Sequence, residues 1–166
     1  SVVEKSVRLR LFHKDGTILE CNGWREADHP VVATYSYYLE PDMQPESPHG
    51  FGFGTLKVSG RNSVSFTGRL PDNTALSGTT FVGSNGDVVF YSLLYNAKGS
   101  LLGRFDLADA DVEGSLTWSK ALTSGRVYPT PFGPIAVTAS GSTYTPPPPG
   151  QIIMPSPCEL SFSAGG

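Results

Sequence analysis

The sequence predicts an all-β fold, an antiparallel meander of about ten strands closed into a barrel, with a two-sheet sandwich as the alternative. Three observations predict it. Strand-like runs recur every eight to twelve residues, each ended by a Gly, Asn, Asp or Pro cluster. No stretch carries the apolar repeat of a helix. The 166 residues include 19 Gly and 14 Pro, and charged side chains make up only 16%, against roughly 25% in an ordinary soluble domain. Ser, Thr and Asn supply the polarity instead, as in turn-rich exported β domains.

The first element alternates Val7, Leu9 and Leu11 with Ser6, Arg8 and Arg10, and turns at His13-Lys14-Asp15-Gly16 into Thr17 to Cys21. A loop through Trp24 and Asp28-His29-Pro30 leads to a long strand, Val31 to Glu40. There Ala33, Tyr35, Tyr37 and Leu39 share one face, and Thr34, Ser36 and Tyr38 the other. Pro41, Pro45 and Pro48 lack N–H donors, so residues 41–50 form a loop. Five runs then follow across short turns: Phe53 to Val58, Val64 to Leu70, Ala75 to Val82, Val88 to Tyr95 and Ser100 to Asp106. Short turns make neighbours antiparallel. After an acidic turn come Val112 to Ser119 and two weaker runs, Ile135 to Ala139 and Cys158 to Phe162, separated by a second proline-rich loop over 145–157. The run Pro146-Pro147-Pro148-Pro149 is stiff and extended, and reads as an ordered crossing over the barrel. Residues 1–166 form one domain, a length suited to a single all-β core.

From Gly50 onward several segments keep turn and aromatic positions in a recurring order. They are Gly52-Phe53-Gly54-Thr55-Leu56-Lys57-Val58, Phe66-Thr67-Gly68-Arg69-Leu70-Pro71-Asp72-Asn73-Thr74, Leu94-Tyr95 with Lys98-Gly99-Ser100-Leu101-Leu102-Gly103, Gly114-Ser115-Leu116-Thr117-Trp118, and Tyr128-Pro129 with Gly141 to Pro147. In these the chain resembles a β-rich repeat module of large exported and surface proteins of environmental bacteria. The resemblance implies an exported, modular protein and carries no catalytic motif.

The net charge is −3 and the 12 basic residues never cluster, which argues against nucleic acid. No apolar run reaches the length of a membrane-spanning helix. Ser1-Val2-Val3-Glu4 lacks the pattern of a signal peptide, so an export signal is expected outside this stretch. None of Asn22, Asn62, Asn73, Asn85 and Asn96 opens a glycosylation sequon, which fits a bacterial source. Cys21 and Cys158 have no metal-type or redox-type spacing. Two readings stay open: a disulfide stapling neighbouring first and last strands, favoured by an oxidising compartment, or two buried thiols.

No Gly-X-Ser-X-Gly elbow occurs, and His13, His29 and His49 sit in a turn and loops. Asp109, Asp111 and Glu113 before Gly114 match the start of an EF-hand loop, a calcium set that fails at Lys120, where a bidentate Glu belongs. Otherwise they face water at a strand start, and no cofactor is expected. Most aromatic residues fall in phase with aliphatic neighbours and read as core. Trp24, Tyr38, Phe51, Phe53 and Phe132 do not, and flat rings on a rigid sheet suit stacking against sugars. Structural work, such as covering a neighbouring glycine, is the competing role for each. The expected function is therefore a non-catalytic binding module, extracellular or on a cell surface, for a glycan or another surface protein. A structural spacer or protein-interaction domain is the alternative, and a hydrolase with a dispersed active site the third.

Overall fold

Alternation of apolar and polar side chains sets the architecture, because each strand must turn one face toward a shared interior and the other to solvent. The computed structural model describes residues 6–24, 32–45, 47–108, 110–123 and 128–151, without the side chains of Ser6, Val7, Cys21, Asn22 and Trp24. Ten strands run through them: β1 (Ser6–Phe12), β2 (Ile18–Trp24), β3 (Ala33–Pro41), β4 (Gly52–Val58), β5 (Ser63–Arg69), β6 (Ala75–Phe81), β7 (Asp87–Leu94), β8 (Gly99–Ala108), β9 (Asp111–Lys120) and β10 (Phe132–Thr143). All described ladders are antiparallel. The fold is all-β, as the sequence predicts.

The strands divide into two sheets. Among the described residues β1 pairs only with β2, as a separate hairpin, and the other eight follow the order β6-β5-β4-β3-β10-β9-β8-β7. This eight-stranded sheet curls into a nearly closed barrel. Its interior holds Tyr35, Tyr37 and Leu39 of β3, Leu56 and Val58 of β4, Phe66 of β5, Phe90 of β7, Phe105 of β8, Trp118 of β9 and Val137 of β10, all buried. A chain of rings crosses the lumen: Phe66 to Phe90 at 4.1 Å, Phe90 to Phe105 at 5.5 Å, and Phe105 to Tyr37 at 5.4 Å between centroids. Glycines make the room. Gly54 stands opposite Tyr37 and Gly78 opposite Phe66, and each lies beneath its partner's ring.

Among the described residues β1 stays with β2, and the two halves of the eight-stranded sheet join through β3 and β10, with Tyr144 N donating to Thr34 O at 2.7 Å just beyond the ladder. One expectation is corrected at the turn Gly83-Ser84-Asn85-Gly86, which the sequence presents as an ordinary hairpin. Gly83 N does donate to Asp87 O at 2.7 Å, yet β6 and β7 form no ladder. The flanking backbone is tied to its other neighbours instead: Val82 N donates to Asn62 O, and Leu107 N to Gly86 O. The resulting seam is bridged far from this turn by Tyr95 Oη, which donates to Asp72 Oδ2 at 2.5 Å, and from inside by the Phe66–Phe90 contact. β3 also extends through Pro41, which the sequence assigns to the loop. The Pro146–Pro149 run lies at the surface, only Pro147 being partly covered, and the expected strand Cys158 to Phe162 falls outside the described residues.

The turn joining β7 to β8 carries three consecutive non-glycine residues at positive φ, Tyr95 (54°), Asn96 (55°) and Ala97 (65°). An alanine there sets its Cβ against the backbone, a cost of roughly 1–2 kcal/mol. Ala97→Gly is accordingly expected to stabilise the domain by about 1 kcal/mol after the larger entropy of an unfolded glycine, raising Tm by about 2–4 °C. Calorimetry showing an unchanged or lower Tm would refute the strain at this residue.

Candidate functional site

The interior glycines also decide where β4 sends its aromatic residues. Gly52 and Gly54 point into the barrel, against Leu39 and Tyr37, and the alternation of a strand therefore turns Phe53 outward. Phe53 stands opposite Tyr38 of β3 in the ladder, and both are on the outer face. Phe51, just before β4, meets Tyr38 edge to face, with ring centroids 5.9 Å apart and planes at 82°. The three rings remain 45%, 57% and 63% exposed for Tyr38, Phe51 and Phe53. Three adjacent rings facing solvent contribute little to the core, since their apolar area stays in water.

The register continues this shelf sideways. Asp106, Glu113, Ser140, Tyr38, Phe53 and Arg69 are successive partners across β8, β9, β10, β3, β4 and β5, one outward row on six strands. Short side chains leave hollows beside the rings. One, of 380 Å³, lies between Asp106, Glu113, Ser115, Thr138 and Ser140, and ends at Ser140, directly across from Tyr38. A second, of 530 Å³, is lined by Glu40, Asp42, Met43, Ala136 and Thr138. Arg104 binds Asp106 through Nε and an Nη, both at 3.0 Å, and that carboxylate holds the guanidinium above its ordinary pKa. Arg69, at the far end of the row, donates to Asn73 O at 2.9 Å.

The structure thus brings together Tyr38, Phe51 and Phe53 and separates the other candidates. Phe132 is corrected: it is 8% exposed, packed edge-on against Trp118 at 4.7 Å, and belongs to the core. Trp24 lies on the β1–β2 hairpin, outside the barrel row, and its side chain is not among those described. Asp111 and Glu113 are exposed on β9, and Asp109 lies outside the described residues. No group of three or more His, Cys, Asp or Glu side chains suited to a metal occurs among the described residues. Cys158 and the Cys21 side chain are likewise outside them. His13 contacts Asp15 in the hairpin turn, His49 sits by the Gln44 carbonyl two residues before Phe51, both are exposed, and His29 lies outside the described residues.

Glu40, Thr138 and Ser140 are the residues beside the rings that sequence reasoning missed, and Glu113 it singled out only as a calcium ligand. Each is a polar residue in ordinary strand alternation, and only the cross-strand register, which no local pattern encodes, puts it beside the rings. Compared with known proteins, the chain matches no family model, no curated protein and no solved structure.

Proposed function

We propose that this domain is a glycan-binding module of an exported bacterial protein, with Tyr38, Phe51 and Phe53 as its contact surface. One observation carries the reading: three aromatic rings, gathered by the β3–β4 register, stay exposed beside hollows lined with hydroxyl and carboxylate groups. Flat apolar faces take the C–H faces of sugar rings, and neighbouring polar groups fix their orientation. The low charge and the resemblance to modules of surface proteins support the exported setting.

Retention of the purified domain on a panel of soluble and insoluble polysaccharides tests this. Tyr38→Ala and Phe53→Ala are each expected to weaken retention by about tenfold or more, the loss of a central aromatic contact, while Tm stays within a few degrees because neither ring is buried. Retention on no polysaccharide, or retention indifferent to both changes, would sink the reading. A protein-interaction or spacer role would then stand, favoured by the exposed Leu9, Leu11 and Leu19 that share one face of the separate hairpin.

A further inference from the structure

We infer that the shelf takes a cationic glycan, a polymer of amino sugars with free amines; this rests on the glycan reading above and deepens it. The charge lining the two hollows is one-sided. The hollow on the Ser140 side is lined by Asp106 and Glu113, the hollow on the Thr138 side by Glu40 and Asp42, and neither lining includes a Lys, Arg or His. Arg104 neutralises Asp106, which leaves Glu40, Asp42 and Glu113 facing the ligand. Arg69 stands beyond Phe53, at the opposite end of the row from Glu113.

Such a surface disfavours sulfated or uronic-acid glycans, because in both hollows their anions would meet like charges, and the row's outward cation beside the rings, Arg69, lies on the far side of Phe53 from those hollows and donates to Asn73 O. A neutral glycan would use the rings and hydroxyls and offer the carboxylates hydroxyl donors alone, leaving their charge without a counter-charge. An amino-sugar chain uses all three. Its C–H faces stack on the rings, its hydroxyls reach Ser115, Thr138 and Ser140, and its ammonium groups meet Glu113 on one flank and Glu40 with Asp42 on the other. A protonated amine above Tyr38 also gains from the ring's negative face. The Glu40 side chain leaves β3 two residues after Tyr38 on the same outer face, so carboxylate and ring are presented together.

The test is calorimetric titration with four oligosaccharides of matched length: an N-acetylated amino-sugar oligomer, its de-N-acetylated form, a neutral glucan and a uronic-acid oligomer, at low and high salt. The de-N-acetylated form is expected to bind about tenfold tighter than the acetylated one at low salt, with the advantage shrinking as salt screens the carboxylates. A Glu40→Gln, Glu113→Gln double variant should lose that advantage and keep its binding of the neutral glucan. Asp15→Asn, on the hairpin turn, controls for the overall charge of −3 and should change nothing. Equal binding of the acetylated and free-amine forms, preference for the uronic-acid oligomer, or an equal effect of Asp15→Asn would each overturn the inference while the stacking site stands. Binding of none of the four would overturn both.

Discussion

Replacing Gly54 by alanine is expected to destabilise the domain by about 3 kcal/mol, although it adds a single methyl group. That methyl would collide with the backbone carbonyl of Thr67 and with the phenol end of Tyr37. Neither can retreat easily: the carbonyl belongs to β5, paired to β4 along its length, and the Tyr37 ring is wedged against Phe105 in the lumen. Overpacking of this kind costs roughly 1–3 kcal/mol, and most where backbone must move. Gly60→Ala provides the contrast. A methyl there meets only Val32 Cγ2, at an ordinary 3.6 Å, so its effect should stay within about 0.5 kcal/mol. Urea midpoints of the two variants are the measurement, and equal midpoints would show that Gly54 is not a packing requirement.

The second large effect is expected in alkali. Burial pushes the Tyr37 phenol up to about 12, and burial together with the Asp72 carboxylate raises Tyr95 as well, against an ordinary value of roughly 10. Both shifts raise the folded-state pKa, so the folded chain holds these protons more tightly than the unfolded one. Their stabilisation is complete below about pH 10 and is lost as pH climbs from there through about 12. For Tyr37 alone, two units of difference correspond to roughly 2–3 kcal/mol. Urea denaturation at pH 8, 10 and 11.5 should show a steep fall over the last interval, and Tyr37→Phe should fall less over the same range. A parent protein as stable at pH 11.5 as at pH 8 would contradict the burial of these phenols in a low-dielectric interior.

The inside and outside of the barrel were legible in the sequence because alternation is a local property. Tyr35, Tyr37 and Leu39 against Ser36, Tyr38 and Glu40 reads correctly from β3 alone. Phe132 was misassigned for an equally local reason: Pro129, Pro131, Gly133 and Pro134 surround it and hide the strand. The β10–β9 register shifts between Phe132 and Ile135, and the ring packs against Trp118. What alternation cannot carry is which strand lies beside which. The meeting of Tyr38 with Phe53 depends on a β3–β4 register set across the proline-rich loop between them, and its meeting with Ser140 depends on a pairing between segments far apart in the chain. The outward aspect of Phe53 was readable from its flanking glycines once Tyr37 and Leu39 are recognised as their partners.

The join between β3 and β10 has a consequence for how the molecule reaches this structure. Every other ladder of the eight-stranded sheet links strands adjacent in the chain, and each can form by closing a short loop. Two four-stranded meanders, residues 33–69 continuing through β6 and residues 87–143, can therefore assemble independently from local contacts. The β3–β10 ladder must instead close a loop of the whole intervening chain, at the largest entropic cost of any pairing in the sheet. That cost makes the joining of β3 to β10 the expected late step, so the rings of Tyr38, Phe51 and Phe53, all carried by the first half, gain Thr138 and Ser140 as neighbours only when the two halves meet.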